Sequence, residues 1–206
     1  MYHYFKYFFD FVFALLLLVL LSPLLLVIAF AIYFHSGLPI FFTQYRPGFR
    51  SKAFRLIKFR SMANDKDSNG RLRPDSDRLS AFGCFLRSTS LDELPSLLNI
   101  LMGDMSFIGP RPLLMEYLPL YSSFQARRHD VKPGFSGWAQ INGRNSLSWD
   151  QKFRLDVWYV DRQNFWLDLR IFLITIWKVF RREGISASGE ATMAPFIGSA
   201  SASRAR

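Results

Sequence analysis

Phe11 to Phe34 reads FVFALLLLVLLSPLLLVIAFAIYF, apolar except for one Ser and one Pro. As a helix rising ~1.5 Å per residue it reaches ~36 Å, more than the ~30 Å hydrocarbon core of a bilayer. The run is too long for the core of a signal peptide, and no small-residue cleavage site follows it. Any fold of this chain must therefore accommodate a lipid-facing helix. Tyr2, Tyr4, Phe5, Tyr7, Phe8 and Phe9, with Lys6 among them, precede the run in the manner of an interfacial belt. Its midpoint carries Ser22-Pro23. Proline in a helix interior removes a hydrogen bond and clashes with the preceding turn, costing ~3 kcal/mol. In lipid the freed carbonyls have no water to bond, and Ser22 can bond back to a carbonyl one turn earlier. A plain spanning helix gains nothing from this pair, although kinked spanning helices exist. A helix–break–helix has a use for it. Each half is too short to cross, so the membrane break at Ser22 and Pro23 would lie within one leaflet and both ends would return to the cytoplasmic face.

Charge agrees with that side. The formal net charge is +10, and no acidic residue lies between Ser36 and Asn64, where Arg46, Arg50, Lys52, Arg55, Lys58 and Arg60 cluster. Basic residues beside a membrane segment mark its cytoplasmic side and attract anionic lipid. The balance implies an anionic partner. Nucleic acid is excluded because it leaves the apolar run unexplained. Cys84 is the single cysteine, so no internal disulfide forms and a reducing compartment is expected. A length of 206 residues suffices for one domain plus a membrane segment.

The expected organisation is a re-entrant membrane helix at 1–36, a catalytic domain on the cytoplasmic face at 37–183 and a tail at 184–206. Phe41-Phe42 and Tyr45 lead through Pro47-Gly48 to Phe54–Phe59, which reads as a small hairpin. Ala63 to Asp77 reads as a surface loop. Helices are expected at RLSAFGCFLRST, at LDELPSLLNILMGD with Gly103 as C-cap, and at DQKFRLDVWYVDRQ, with an interrupted helix around Pro119. Val131 to Trp149, rich in Gly, reads as a functional loop. Trp166–Arg182 suits an amphipathic helix lying at the membrane interface, a buried core helix being the alternative. The small, polar tail is expected to be flexible. The fold class is α+β, mostly helical with a small β-hairpin, and monotopic in the membrane.

No His/Cys metal motif, Walker loop or dinucleotide fingerprint is present. The chemistry concentrates instead at TSLDELPSLLNILMGD. Asp92-Glu93 open a helical pattern, and Ser90 to Glu93 also fits a capping box, so capping and catalysis are both open readings. A helix N-terminus binds phosphate, and a carboxylate beside it suits a nucleophile for phosphoryl transfer. Two anions near a phosphate call for a counter-ion, and Mg²⁺ held by Asp92 and Glu93 is the natural choice. Arg87, Arg111 and Arg144 are candidate phosphate ligands, Arg111 being fixed between Pro110 and Pro112. The glycines of PGFSGWAQINGRN would let backbone approach a nucleotide, with Trp138 as a packing or stacking surface.

KFRSM (Lys58 to Met62), TSLDELPSLLNILMGDMSFIGPRP (Thr89 to Pro112) and VKPGFSGWAQINGRN (Val131 to Asn145) occur in that order. Together they resemble the monotopic bacterial phosphoglycosyl transferases of the bacterial sugar transferase family. The likeness covers residues 1 to about 185. The short length is similar to the minimal members, including the one that begins bacterial N-linked glycosylation. Ser96 departs from a common Gln or Glu, and Phe135-Ser136 from a frequent Ile-Thr, which bears at most on the sugar. The resemblance implies transfer of a sugar-1-phosphate from a UDP-sugar to polyprenyl phosphate, typically undecaprenyl phosphate, releasing UMP, at the bacterial inner membrane. It implies a covalent phosphosugar on Asp92, with Glu93 as metal ligand or proton handler. Arg87, Arg111, Arg144, Asn145, Lys58 and Arg60 then hold phosphate or nucleotide. A non-enzymatic membrane adaptor with a basic lipid-binding face is the rival from another class, and direct displacement by bound lipid phosphate is the rival mechanism.

Overall fold

A computed structural model describes residues 2–63, 65, 67, 69–71, 73–143, 146–181 and 195–198. Helix α1 runs from Tyr2 to Ser36, continuous through Pro23. The expected break is thus not an interruption of the helix. Ser22 Oγ donates to the Val19 carbonyl at 2.8 Å, three residues back, as Ser before a helical proline can.

One stripe of α1 meets the rest of the protein along its whole length. Lys6, Asp10 and Ala14 are buried, followed by Ile28 and Ile32 beyond the proline. Ala14 joins Phe54, Leu56, Leu97, Ile100 and Met105 in one core, against which Leu17, Leu18 and Leu21 pack. Ile28 and Ile32 join Phe59 and Leu86 in a second, with Leu25 and Ala29 alongside. Steps of three and four residues define a helix face. The opposite face, including Leu16, Val19, Leu20, Leu26, Val27 and Phe30, is exposed and apolar. It is the only helix among the described residues long and apolar enough to cross a bilayer.

Both ends of α1 are tied to the same body by polar groups. At the start, Lys6 Nζ donates to Asp168 Oδ2 at 2.6 Å in a buried ion pair. Ser106 Oγ donates to Asp10 Oδ2 at 2.6 Å. At the end, the guanidinium of Arg60 donates to the carbonyls of Ser36, Gly37 and Leu38. Those carbonyls lie where a helix runs out of internal donors, so Arg60 acts as a side-chain cap.

The hairpin is present. β1 (Phe41–Pro47) pairs antiparallel with β2 (Ala53–Phe59), Phe41 opposite Phe59. The free edge of β2 is covered by side chains rather than a strand. Asn99, fully buried, accepts from Ile57 N at 3.0 Å and donates to the Arg55 carbonyl at 2.8 Å, while Ser96 Oγ donates to the Ile57 carbonyl at 2.7 Å. Ser96 thus has a structural task that the sequence did not suggest. Helix α2 (Ala81–Ser88) starts at Ser80, whose side chain accepts from Gly83 N. Gly83 lies so close to the Ser61 carbonyl that a Cβ would come within 1.9 Å of it.

A second, parallel pair joins β3 (Ser106–Ile108) to β4 (Gly134–Ser136), in segments that read as loops from the sequence. Its cause is glycine. A Cβ on Gly134 would meet Gly109 N at 2.1 Å, and one on Gly137 would meet the Gly109 carbonyl at 2.2 Å. The glycines expected to face a nucleotide instead let the VKPGFSG and IGPRP segments meet backbone to backbone. Trp138 likewise stacks on Trp158, with centroids 4.9 Å apart.

Helix α3 (Trp149–Arg162) has a capping box from Ser148 and Gln151. Helix α4 (Phe165–Arg181) buries Leu167, Asp168 and Ile171 but exposes Phe165, Trp166, Leu173, Ile176 and Trp177. It is therefore both a core helix and a carrier of exposed apolar side chains. Part of the tail departs from the flexible expectation. Phe196 is buried among Tyr117, Tyr121, Trp149 and Phe153.

Candidate active site

Asp92 and Glu93 lie on a 3₁₀ turn, Leu91–Ser96, that runs into a five-residue helix at Leu97–Leu101. The capping-box reading fails. Ser90 sits in the left-handed region at φ 58 and its side chain makes no cap bond. Pro95 within the turn supplies no N–H, so the acidic pair opens a short 3₁₀ turn rather than a long helix with an anion-binding end.

The turn is held against β2 by Asn99 and Ser96, which places Lys58 beside Glu93. Lys58 Nζ donates to Glu93 Oε1 at 2.6 Å, and Arg111 Nη2 donates to the same oxygen at 2.7 Å. Burial alone would raise the Glu93 carboxyl. The charges of Arg111 and Lys58 more than reverse that and hold it well below the usual carboxylate range. Glu93 is thus a fixed anion that orients two cations.

Asp92 is treated differently by the fold. It is 9% exposed and has no hydrogen-bond partner among the described residues. Burial, then the neighbouring Glu93 charge, push its carboxyl up to about 6, with Lys58, Arg111 and Arg87 opposing. Adjacent carboxylates whose surroundings drive them apart are a signature of divided chemical roles. Here Glu93 is held between two cations and Asp92 is left without one.

Arg87 lies within the field of Asp92 and is oriented by KFRSM. Its Nε donates to Ser61 Oγ at 3.0 Å and its Nη2 contacts Met62 Sδ at 2.7 Å. The Arg111 side chain is two-fifths exposed. Its loop is carried by a buried pair. Arg128 donates to Asp156 Oδ2 at 2.7 Å and to the Arg111 carbonyl at 2.7 Å. The sequence reasoning missed Arg128, Asp156 and Asp10; of these, only Asp10 and Asp156 stand out in the sequence, each as a charge between apolar neighbours. Arg60 does not join the phosphate candidates, because its outer nitrogens bond the end of α1. Arg144 and Asn145 lie outside the described residues. Among those described, Asp92, Glu93, Lys58, Arg87 and Arg111 come together.

Beside Glu93 opens a cavity of about 90 Å³ lined by Arg46, Lys58, Glu93, Ser96 and Arg111, with Leu56, Met105, Leu113 and Phe135 as its apolar walls. No three His, Cys, Asp or Glu side chains converge among the described residues.

A model of the bacterial sugar transferase family matches residues 1–182. The chain is 52% identical over 194 residues to an uncharacterized sugar transferase EpsL of Bacillus subtilis, covering 94% of this chain and 96% of that one. It is 39% identical over 181 residues to a UDP-glucose:undecaprenyl-phosphate glucose-1-phosphate transferase of Klebsiella pneumoniae, covering 83% of this chain and 39% of that protein. An undecaprenyl-phosphate galactose phosphotransferase of Salmonella typhimurium is 35% identical over 193 residues, covering 85% and 40%. The chain thus spans about two fifths of the length of these last two relatives. With its acidic pair, its arginines and its apolar N-terminal helix in one fold, the chain belongs to the bacterial sugar transferase family.

Proposed function

We propose that the protein is a phosphoglycosyl transferase that moves a sugar-1-phosphate from a UDP-sugar to a polyprenyl phosphate, releasing UMP. The observation that carries this reading is the divided carboxylate pair, Asp92 without a partner beside Glu93 bridged by Lys58 and Arg111. The names of the Klebsiella and Salmonella relatives support the same reaction class.

Asp92 Oδ attacks the phosphorus bearing the sugar. The bond to the UMP phosphate oxygen breaks, UMP leaves with that electron pair, and a phosphosugar ester remains on Asp92. The oxygen of the polyprenyl phosphate then attacks the same phosphorus and restores the carboxylate. Arg111 and Arg87 offer guanidinium groups to the phosphoryl oxygens. Lys58 and Glu93 fix Arg111 for that task. Mg²⁺ suits the donor set, since it binds through one or two carboxylates plus substrate phosphates. Asp92 is the carboxylate open to it, and Glu93 is already engaged by two cations. When bound, Mg²⁺ neutralises phosphate charge.

The membrane placement is part of the proposal. The N-terminus and the catalytic body lie on the cytoplasmic face, and α1 enters the leaflet and returns. The Lys6–Asp168 and Arg60–Ser36 ties support this, because both ends of α1 belong to one polar body. So does the buried stripe from Lys6 to Ile32, which covers ~39 Å of helix on both sides of Pro23. A helix crossing the bilayer would drag that body into hydrocarbon. The exposed apolar face of α4 then lies beside α1 at the interface.

The test is turnover. Membranes holding the protein are incubated with a panel of UDP-sugars, Mg²⁺ and polyprenyl phosphate. UMP and a polyprenyl-diphosphosugar should form with at least one donor and not with Asp92→Asn. A lipid-binding adaptor would make neither product.

A further inference from the structure

The proposed reaction leaves one cation of the cavity without a task. Arg46 comes off β1 into the space lined by Lys58, Glu93 and Arg111. Its Nη2 donates to Gln44 Oε1 at 2.7 Å, a neutral acceptor. Its Nε is buried and has no partner. It makes no ion pair among the described residues. A buried donor atom normally has a hydrogen-bond partner.

The cavity as a whole carries the same imbalance. Arg46, Lys58 and Arg111 face a single carboxylate, Glu93, so two positive charges are uncompensated. Asp92 beside them offsets one, which leaves one positive charge over. Burial, and then repulsion from Arg111, bring the Arg46 guanidinium down to about 10. A dianion would relieve both the repulsion and the orphaned N–H. The apolar walls strengthen any such contact by excluding water.

We infer that Arg46 is a phosphate-binding residue, closing with Arg111 on one phosphoryl group in this cavity. The inference rests on the transferase reading only for the source of that group, the diphosphate of the sugar donor or the phosphate of the lipid acceptor. Leu56 and Met105 in its wall belong to the core that Leu17, Leu18 and Leu21 of α1 cover. The site therefore adjoins the lipid-facing helix as well as the acidic turn.

The experiment uses the full chain in detergent and calorimetric titration with inorganic pyrophosphate. Arg46→Gln should weaken binding at least tenfold, and Arg46→Lys should recover part of it, because charge survives while the planar fork does not. Gln44→Glu should weaken binding as well, since it places a carboxylate on the guanidinium without removing it. A purely structural arginine predicts the reverse for that variant, with unchanged affinity and a higher melting temperature. If Arg46→Gln does not fold, Gln44→Glu decides. Wild-type affinity in Gln44→Glu, or no pyrophosphate binding by the wild type, overturns the inference. A second arm measures KM for the UDP-sugar and for polyprenyl phosphate in Arg46→Lys. The KM that rises identifies the source, and constancy of both counts against the inference. Pyrophosphate binding that depends on Arg46, in a protein that turns over no UDP-sugar, would reject the reaction and keep the site.

Discussion

Asp92 is charged at a cost to stability, and that cost makes it testable. Its carboxyl stands at about 6 in the folded protein, against ~3.9 for an ordinary Asp. With the folded value raised, the native state binds the extra proton between those pH values, and stability falls as pH rises through them. The penalty is absent below pH ~4 and complete above ~6. A displacement of this size corresponds to ~3 kcal/mol. Asp92→Asn should therefore be more stable than the wild type by about 2–3 kcal/mol at pH 7.5 and equal to it at pH 4, read by denaturant melts in detergent. On the proposed mechanism the nucleophile must be ionised, so transfer by the wild type should rise with pH through about 6. Arg111 makes a different prediction. Its bond to Glu93 fixes one arm of a planar fork, and Lys cannot keep that arm while also reaching a phosphate. Losing a charge-assisted hydrogen bond costs ~1.5–3 kcal/mol. Arg111→Lys should lower kcat/KM by about 10- to 150-fold, measured by UMP release.

At the scale of elements, α1 is joined to α4 by the Lys6–Asp168 pair, which Tyr2 and Tyr159 complete with bonds of 2.6 Å to the same carboxylate. Lys6→Met leaves that carboxylate buried without its cation. Breaking a buried pair costs ~3–5 kcal/mol, and the two tyrosines place this one at the lower end, about 3 kcal/mol in an unfolding titration. What was legible in the sequence follows from what is local. The hairpin, α2, α3 and the apolar helix rest on periodicity and turn residues within their own spans, and each is present. The Asp-Glu pair and Arg111 were legible because they sit in a continuous motif. The β3–β4 pairing was not, because it depends on three glycines from two distant segments whose backbones touch. Arg60 was misread because a cation in a basic stretch looks like a phosphate ligand. Only the fold reveals the carbonyls of Ser36–Leu38 beneath it. Arg46, partly buried in the fold, read from the sequence only as one of the basic cluster beside the membrane segment.

At the scale of the whole molecule, the acidic turn, the cavity and the apolar helix α1 share a core. Ala14 of α1 touches the cluster that holds Leu97 and Ile100 directly behind the acidic turn. On the proposed reaction, that continuity brings a phosphate on a lipid and a carboxylate on the protein to the same depth. It also predicts topology. With Cys84 replaced by Ser and Tyr2 by Cys, an impermeant thiol reagent should leave intact cells unlabelled and label them after lysis. Labelling of intact cells would put the N-terminus outside and make α1 a spanning helix. The most direct measurement of the account concerns Asp92 itself. Protein mixed with a competent UDP-sugar and no lipid acceptor, digested and analysed by mass spectrometry, should carry one phosphosugar on the peptide containing Asp92, with UMP released in equal amount. Addition of polyprenyl phosphate should discharge it. An adduct on another residue, or UMP that appears only when the lipid acceptor is present, would contradict the covalent route.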